Sequence, residues 1–211
     1  MPTFKHIPSG KRFFFAHIPR TAGRFVEANF LKLNNMSWDD VHLDNGKGIM
    51  SVVHGLEIAH YHKEHYEKYL DVKNIPHFSI VRNPITRFIS GSLYLKRVYG
   101  DDIQELMEDP MMFSSMIQNM PFEEKDSWYR PQSEFMTDKT KVWKFENGIS
   151  KNFFSWLSDI VDINLKYDDN VDYPVEDDEY DKSTRLKPTP KLIENLKKIY
   201  KKDFELFYPD E

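Results

Sequence analysis

The segment from Arg12 to Phe30, RFFFAHIPRTAGRFVEANF, constrains the fold of this chain more than any other stretch. It starts with an apolar run over 13–18 that is rich in strand-forming residues and short enough to be one buried strand. A turn over 19–23 follows, and apolar residues then recur with helical spacing as far as Phe30. The segment therefore predicts a strand–turn–helix unit of an α/β protein.

The turn in this segment is also a candidate anion site. A strand that enters a helix through a short turn leaves unpaired backbone N–H groups at the start of the helix. Together with the helix dipole they attract an anion, most often phosphate. Arg20 and Arg24 add positive charge on both sides of the turn. An ordinary strand–turn–helix unit without a ligand is an equally good reading of this segment alone.

Composition limits the classes of protein that the chain can belong to. The 211 residues suit a single α/β domain over 1–211, and the 15% aromatic content predicts a core built largely from rings. The net charge of −5 does not favour nucleic-acid binding. The absence of cysteine excludes disulfides, a Cys nucleophile and zinc–thiolate sites. With no membrane-spanning run and no signal peptide, we expect a cytoplasmic protein, although a truncated secretory-pathway enzyme would show the same features.

Further strands and helices alternate along the rest of the chain. Predicted strands cover 49–55, 77–81 and 141–146, and predicted helices cover 57–72, the segment after Pro84, 101–118, 153–163 and 190–207, with polar loops at 34–48 and 168–181. Such alternation predicts a P-loop-like parallel sheet with helices on both faces. Ligands bind such sheets beyond the carboxyl ends of the strands, where His54, Arg82 and the 19–23 turn are expected.

The segment from Ser79 to Ser92, SIVRNPITRFISGS, is the second informative stretch. Arg82 follows a predicted strand, and Ser90 lies on the next helix. Their spacing suits a guanidinium and a hydroxyl that contact one phosphate. A helix start with a surface arginine and a buried serine explains the same residues equally well.

Taken together, these motifs resemble the sulfotransferase superfamily, in particular carbohydrate sulfotransferases of the heparan sulfate 2-O-sulfotransferase and chondroitin/dermatan sulfotransferase type. FFFAHIPRTAGRF is similar to the family's 5′-phosphosulfate loop, and RNPITRFISGSLY is similar to its 3′-phosphate motif. YRPQSEF with VWKFEN, and the closing LIENLKKIYKKDFELFYP, resemble two further family segments. The resemblance covers about residues 12–209.

The resemblance implies that the donor is 3′-phosphoadenosine 5′-phosphosulfate (PAPS) and that its sulfuryl group passes to an acceptor hydroxyl on a carbohydrate or small molecule. It assigns the 5′-phosphosulfate to Arg20, Thr21, Ala22, Gly23, Arg24 and Phe25, and the 3′-phosphate to Arg82 and Ser90. A loop that closes over the nucleotide would contain Lys182, Ser183, Thr184 and Arg185.

A base and acceptor contacts complete the predicted site. His54 is the candidate base, since it matches a family histidine and a base must take the acceptor's proton. Glu57 is a second candidate, and Arg20 would neutralise the leaving group. Arg97, Tyr129 and Arg130 are predicted to contact the acceptor.

Two departures from the family motif leave other functions open. Arg20 stands where the family has lysine, and Arg24 and Phe25 stand where it usually has Thr and Ser. The chain could therefore be a non-catalytic nucleotide- or glycan-binding module. A nucleotide kinase is the remaining alternative, although the sequence contains no GxxxxGK[ST].

No metal is expected. His60, His62 and His65 lack a standard ligand spacing and are predicted to lie on a solvated helix side. Asp168, Asn170, Asp172 and Glu179 only partly match a calcium loop, because Tyr173 occupies the position of its glycine. A charged loop is the prediction for that segment.

Overall fold

The computed structural model describes residues 3–39, 52–53, 56–99, 128–172 and 188–211, without the side chains of 52–58 and 95–99. The chain forms two compact units. The first comprises Met1–Arg82 and Glu134–Tyr173, and the second comprises Asn83–Ser133 and Pro174–Glu211.

The first unit is built on a mixed five-stranded sheet. Its strands are β1 (Thr3–His6), β2 (Arg12–Ala16), β3 (Met36–Trp38), β6 (His77–Val81) and β7 (Lys141–Lys144), in the order β3-β1-β2-β6-β7. The strand β2 pairs in parallel with β6, and β6 with β7, whereas β1 is antiparallel to both β2 and β3. Two short strands, β4 (Val52–Val53) and β5 (Leu56–Glu57), form a separate antiparallel pair.

Helices cover both faces of this sheet. Side chains alternate between the faces along a strand, so Phe13 and Phe15 share one face and Phe14 points to the other. On the first face the rings pack with α1 (Gly23–Leu33) and α4 (Lys151–Val161), through Phe30 and Phe154. On the opposite face the Phe14 ring lies 4.6 Å from the ring of Tyr66 in α2 (Lys63–Tyr69).

The second unit contains α3 (Pro84–Tyr99), α5 (Pro190–Ile199) and α6 (Lys201–Phe207). These helices hold the segment 128–133 through buried polar contacts. Arg87 donates to the carbonyls of Arg130 (2.9 Å) and Trp128 (3.1 Å). Asp203 accepts from the backbone N–H groups of Gln132 (2.7 Å) and Ser133 (2.9 Å).

The α/β fold class is confirmed, and so are the strand and helix of the 12–30 segment, the strand 77–81 and a helix that starts at Pro84. The predicted strand 141–146 ends at 144, and the predicted helix 190–207 is divided at Tyr200. None of the helices in the described part of the chain has the length and apolar composition that crossing a bilayer requires.

The predictions for 34–72 are correct only in part. The predicted loop after α1 contains β3, which pairs with β1. Of the predicted strand 49–55, Val52 and Val53 do form a strand, but it pairs with β5 and not with the main sheet, and the other five residues lie outside the described part of the chain. The predicted helix 57–72 begins only at Lys63, after a 3₁₀ turn over Ile58–His60. His60, His62 and His65 consequently lie on no common solvated side and are buried, at 5%, 0% and 7% exposure.

Candidate active site at the β2–α1 loop

The loop between β2 and α1 has a tightly defined backbone. Arg20 and Ala22 both adopt left-handed conformations, with φ of 68° and 67°. The hydroxyl of Thr21 is completely buried and donates to the carbonyl of Ile18 at 2.8 Å. This bond closes the loop on itself and engages the Thr21 hydroxyl.

The first turn of α1 has no cap from the side chain of its N-cap residue. Ala22 occupies its N-cap and has no side-chain acceptor, and no acidic residue lies in the first turn. The first N–H groups of a helix have no partner inside the helix. Side-chain oxygens from Asn83, Ser150 and Thr189 cap α3, α4 and α5, whereas α2 and α6 begin without a side-chain cap, as α1 does. The start of α1 therefore suits a phosphate or sulfate oxygen.

Arginines surround this helix start. Arg24 lies in the first turn and is exposed, whereas Arg20 is half-buried in the loop. Arg82 follows β6, the parallel neighbour of β2. The β2–α1 loop and Arg82 therefore both follow the carboxyl ends of strands, at the same edge of the sheet. Its Nη1 donates to the carbonyl of Arg20 at 3.3 Å, and its guanidinium carbon lies 4.7 Å from the centre of the Phe145 ring. The sheet thus places a held guanidinium beside the loop.

A buried polar cluster lies under the loop. His17 Nδ1 is 2.9 Å from Glu27 Oε1, and the two side chains are 8% and 11% exposed. A ring N–H of His60 donates to the backbone carbonyl of His17. Burial first, and the neighbouring His17 second, hold the pKa of His60 well below its ordinary value. His60 is therefore neutral at pH 7.

The structure brings together most of the residues predicted for the 5′-phosphosulfate. Arg20, Thr21, Ala22, Gly23 and Arg24 form the loop and the first turn, and Arg82 reaches the same loop. Phe25 is also in this turn, but its ring lies 6.3 Å from the ring of Tyr167 and packs against the apolar core. Phe25 would contact an anion through its backbone N–H.

Three predicted residues belong to the second unit. Ser90 is half-buried on α3. Tyr129 and Arg130 are buried, at 5% and 0% exposure, and their carbonyls accept from Tyr200 (2.8 Å) and Arg87. These contacts hold the segment 128–133 in its unit. The predicted roles of all three residues in ligand binding stay predictions.

Other predicted residues fall outside what the structure describes. His54 and the group Lys182, Ser183, Thr184 and Arg185 are not among the described residues. Glu57 lies in β5 and Arg97 in α3, but their side chains are not described. Among the described side chains, no group of three or more His, Asp and Glu is placed to hold a metal ion.

Sequence reasoning assigned no role at this loop to His17, Glu27, His60 or Phe145. The signal for Glu27 was present, since it lies four residues after Gly23 and therefore on the same helix face. The signal for the others was weak, because a histidine or phenylalanine in an apolar run normally predicts only packing.

Comparison with known proteins agrees with this geometry. A family model described as the sulfotransferase family matches residues 7–209. Searches of curated proteins and of solved structures gave no significant match. The family match covers nearly the whole chain, including the loop, Arg82 and the three helices of the second unit. The chain therefore belongs to the sulfotransferase family.

Proposed function

We propose that this sulfotransferase uses PAPS as its donor and transfers the sulfuryl group to a hydroxyl of a carbohydrate or small molecule. One observation carries the proposal. The start of α1 has no side-chain cap, and it lies between Arg20 and Arg24 with Arg82 bound to the loop backbone. That arrangement supports binding of a phosphosulfate, which carries several negatively charged oxygens.

The residues of the loop suit the chemistry of sulfuryl transfer. PAPS, when bound, supplies the sulfuryl group and leaves as adenosine 3′,5′-bisphosphate. In the proposal the N–H groups of Gly23, Arg24 and Phe25 bind the 5′ end, and Arg20 neutralises charge on the leaving phosphate. Transfers of this type depend on positioning and charge stabilisation more than on covalent catalysis. His54, with Glu57 as the second candidate, would take the acceptor's proton.

Arg82 is assigned to the 3′-phosphate together with Ser90, as the family motif implies. Its guanidinium is supported by the Phe145 ring and by the Arg20 carbonyl, so little side-chain entropy remains to be lost on binding. Arg97, Tyr129 and Arg130 remain the proposed acceptor contacts, and the lid is proposed for 182–185.

Calorimetric titration with adenosine 3′,5′-bisphosphate tests the donor assignment, with AMP and ATP as competitors that lack the 3′-phosphate. We expect binding that requires the 3′-phosphate. Arg82→Ala should weaken it by about 10- to 100-fold, because a charged hydrogen bond contributes about 1.5–3 kcal/mol.

Arg12→Ala is the matched control for Arg82→Ala. Arg12 lies at the opposite end of β2 and pairs with Asp39, so it should not alter nucleotide affinity. A preference for ATP, or equal affinity with and without the 3′-phosphate, would contradict the PAPS assignment and favour a nucleotide kinase.

A further inference from the structure

The His17–Glu27 pair lies beneath the loop in a position that the proposed chemistry does not use. His17 ends the apolar strand segment, and Glu27 is on α1. Nδ1 and Oε1 are 2.9 Å apart, within ion-pair distance, but the two groups lack the geometry of a well-directed hydrogen bond. A buried carboxylate is costly unless a partner compensates it, so the two side chains depend on each other.

The imidazole of His17 is enclosed on its other sides. It is stacked on Phe15, with ring centres 5.2 Å apart and an interplanar angle of 4°. The ring of His60 meets its edge with centres 5.0 Å apart. A Cβ built on Gly23 would be 1.9 Å from Nε2, so the ring fills the space where any larger residue would place a side chain.

These contacts connect the two ends of the loop. Gly23 and Glu27 are four residues apart and lie on one face of α1, one turn from each other. His17 contacts both of them while its backbone continues from β2. The loop over 18–22 is therefore anchored at its entry and at its exit by one side chain.

We propose that the His17–Glu27 pair is a positioning element for the sulfuryl donor, which holds the ends of the loop in the geometry that the 5′-phosphosulfate requires. This inference rests on the proposed function of the loop. In this proposal the pair acts only on the 5′ end of the nucleotide, so its loss affects some contacts to the nucleotide and not others. Loss of the pair weakens contacts to the 5′-phosphate and leaves contacts elsewhere on the nucleotide unchanged.

The test uses Glu27→Gln, which keeps the size of the side chain and removes its charge. Affinities are measured for adenosine 3′,5′-bisphosphate and for adenosine 3′-monophosphate, which lacks the 5′-phosphate. We expect the variant to bind the bisphosphate about tenfold more weakly, with unchanged affinity for the monophosphate. A general loss of stability would lower both affinities together.

Asn34→Ala is the matched control. Asn34 lies at the other end of α1, where its side chain donates to the Lys166 carbonyl (3.0 Å) and accepts from the Lys166 N–H (2.6 Å). Its loss destabilises the same helix without a contact to the loop. The ratio of the two nucleotide affinities should therefore match that of the wild type.

Hydrogen exchange of the amides of 18–26 in the free protein gives a readout that does not depend on the donor. Faster exchange in Glu27→Gln but not in Asn34→Ala supports the positioning role. Unchanged exchange together with an unchanged affinity ratio overturns it.

A wild-type protein that binds neither nucleotide would overturn the proposed function, and the exchange data would still decide whether the pair holds the loop. If Glu27→Gln does not fold, the double variant His17→Asn/Glu27→Gln replaces it, because it leaves no buried charge.

Discussion

Gly23 is required for the space beside it and not for an unusual backbone angle. It is the first residue of a regular helix, and a Cβ there would collide with the imidazole of His17. Gly10 is the opposite case, with φ of 71° and no atom within 4 Å of an added Cβ. A side chain at position 23 is therefore limited by the His17 ring, whereas a side chain at position 10 is limited by the backbone angle.

Gly23→Ala should lower the free energy of unfolding by about 1–3 kcal/mol, the usual cost of forcing extra volume into a packed site. The cost of Gly23→Ala should be smaller when it is measured in the His17→Ala background, because the ring that the new methyl group meets is then absent. Urea unfolding of both single variants and of the double variant measures the coupling. We expect a coupling energy above about 0.5 kcal/mol.

Gly10→Ala is the control for this cycle. Its cost comes from a left-handed backbone angle, so the cost should be the same in the His17→Ala background. Additive effects of Gly23→Ala and His17→Ala would contradict the steric explanation.

At the scale of elements, the helices differ in how their first turns are completed. Ser150 accepts from Asn152 N–H at 3.3 Å at the start of α4, and Thr189 accepts from Leu192 N–H at 3.2 Å at the start of α5. The start of α1 lacks such a cap. The short helices α2 and α6 also begin without a side-chain cap, so what distinguishes α1 is the combination of an uncapped start with Arg20, Arg24 and Arg82 around the loop.

Ser150→Ala should cost about 1 kcal/mol of folding free energy, because the cap hydrogen bond of α4 is lost. Ser150→Gly should cost only about a few tenths of that amount, and it serves as the control for side-chain truncation. Chemical denaturation measures both values. A cost near zero for Ser150→Ala would show that the cap contributes nothing.

At the scale of the whole molecule, buried histidines set the acid limit of stability. Burial holds the pKa of His60 well below its ordinary value of 6.5 and lowers the pKa of His77 in the same direction. Above pH 6.5 these histidines are neutral in both the folded and the unfolded chain. Below pH 6.5 these histidines bind protons more readily in the unfolded chain than in the folded chain. The free energy of unfolding therefore falls as the pH falls. Burial raises the pKa of Asp203, which acts in the opposite direction at lower pH.

The free energy of unfolding should therefore decrease between about pH 6.5 and about pH 5, by at most about 1.4 kcal/mol per pH unit for each histidine. His77→Gln removes one of the two titrating rings, while its amide can still donate to the Val72 carbonyl that His77 contacts at 2.6 Å. The slope of stability against pH should become shallower in this variant. A slope that does not change would show that His77 does not titrate as its burial predicts.

Local patterns were sufficient for the central part of this fold. The apolar run before Pro19, the helical spacing after Gly23 and the proline at position 84 predicted β2, α1 and the start of α3. The same residues carried the resemblance to sulfotransferases, and the family match confirmed the sulfotransferase family, whereas the carbohydrate type stays a prediction. The single domain over 1–211, the cytoplasmic location and the roles of the individual site residues stay predictions.

Contacts between residues distant in the sequence determined the strand pairing and the arrangement of the candidate site. No local signal predicted that β3 would pair with β1, or that Val52 and Val53 would pair outside the main sheet, because strand pairing depends on partners distant in sequence. Sequence by itself determined the strand–loop–helix that can hold an anion. Only the tertiary structure placed His17 against Gly23 and Glu27, and Arg82 on the Arg20 carbonyl, because burial and close approach are properties of packed neighbours and not of the order of residues.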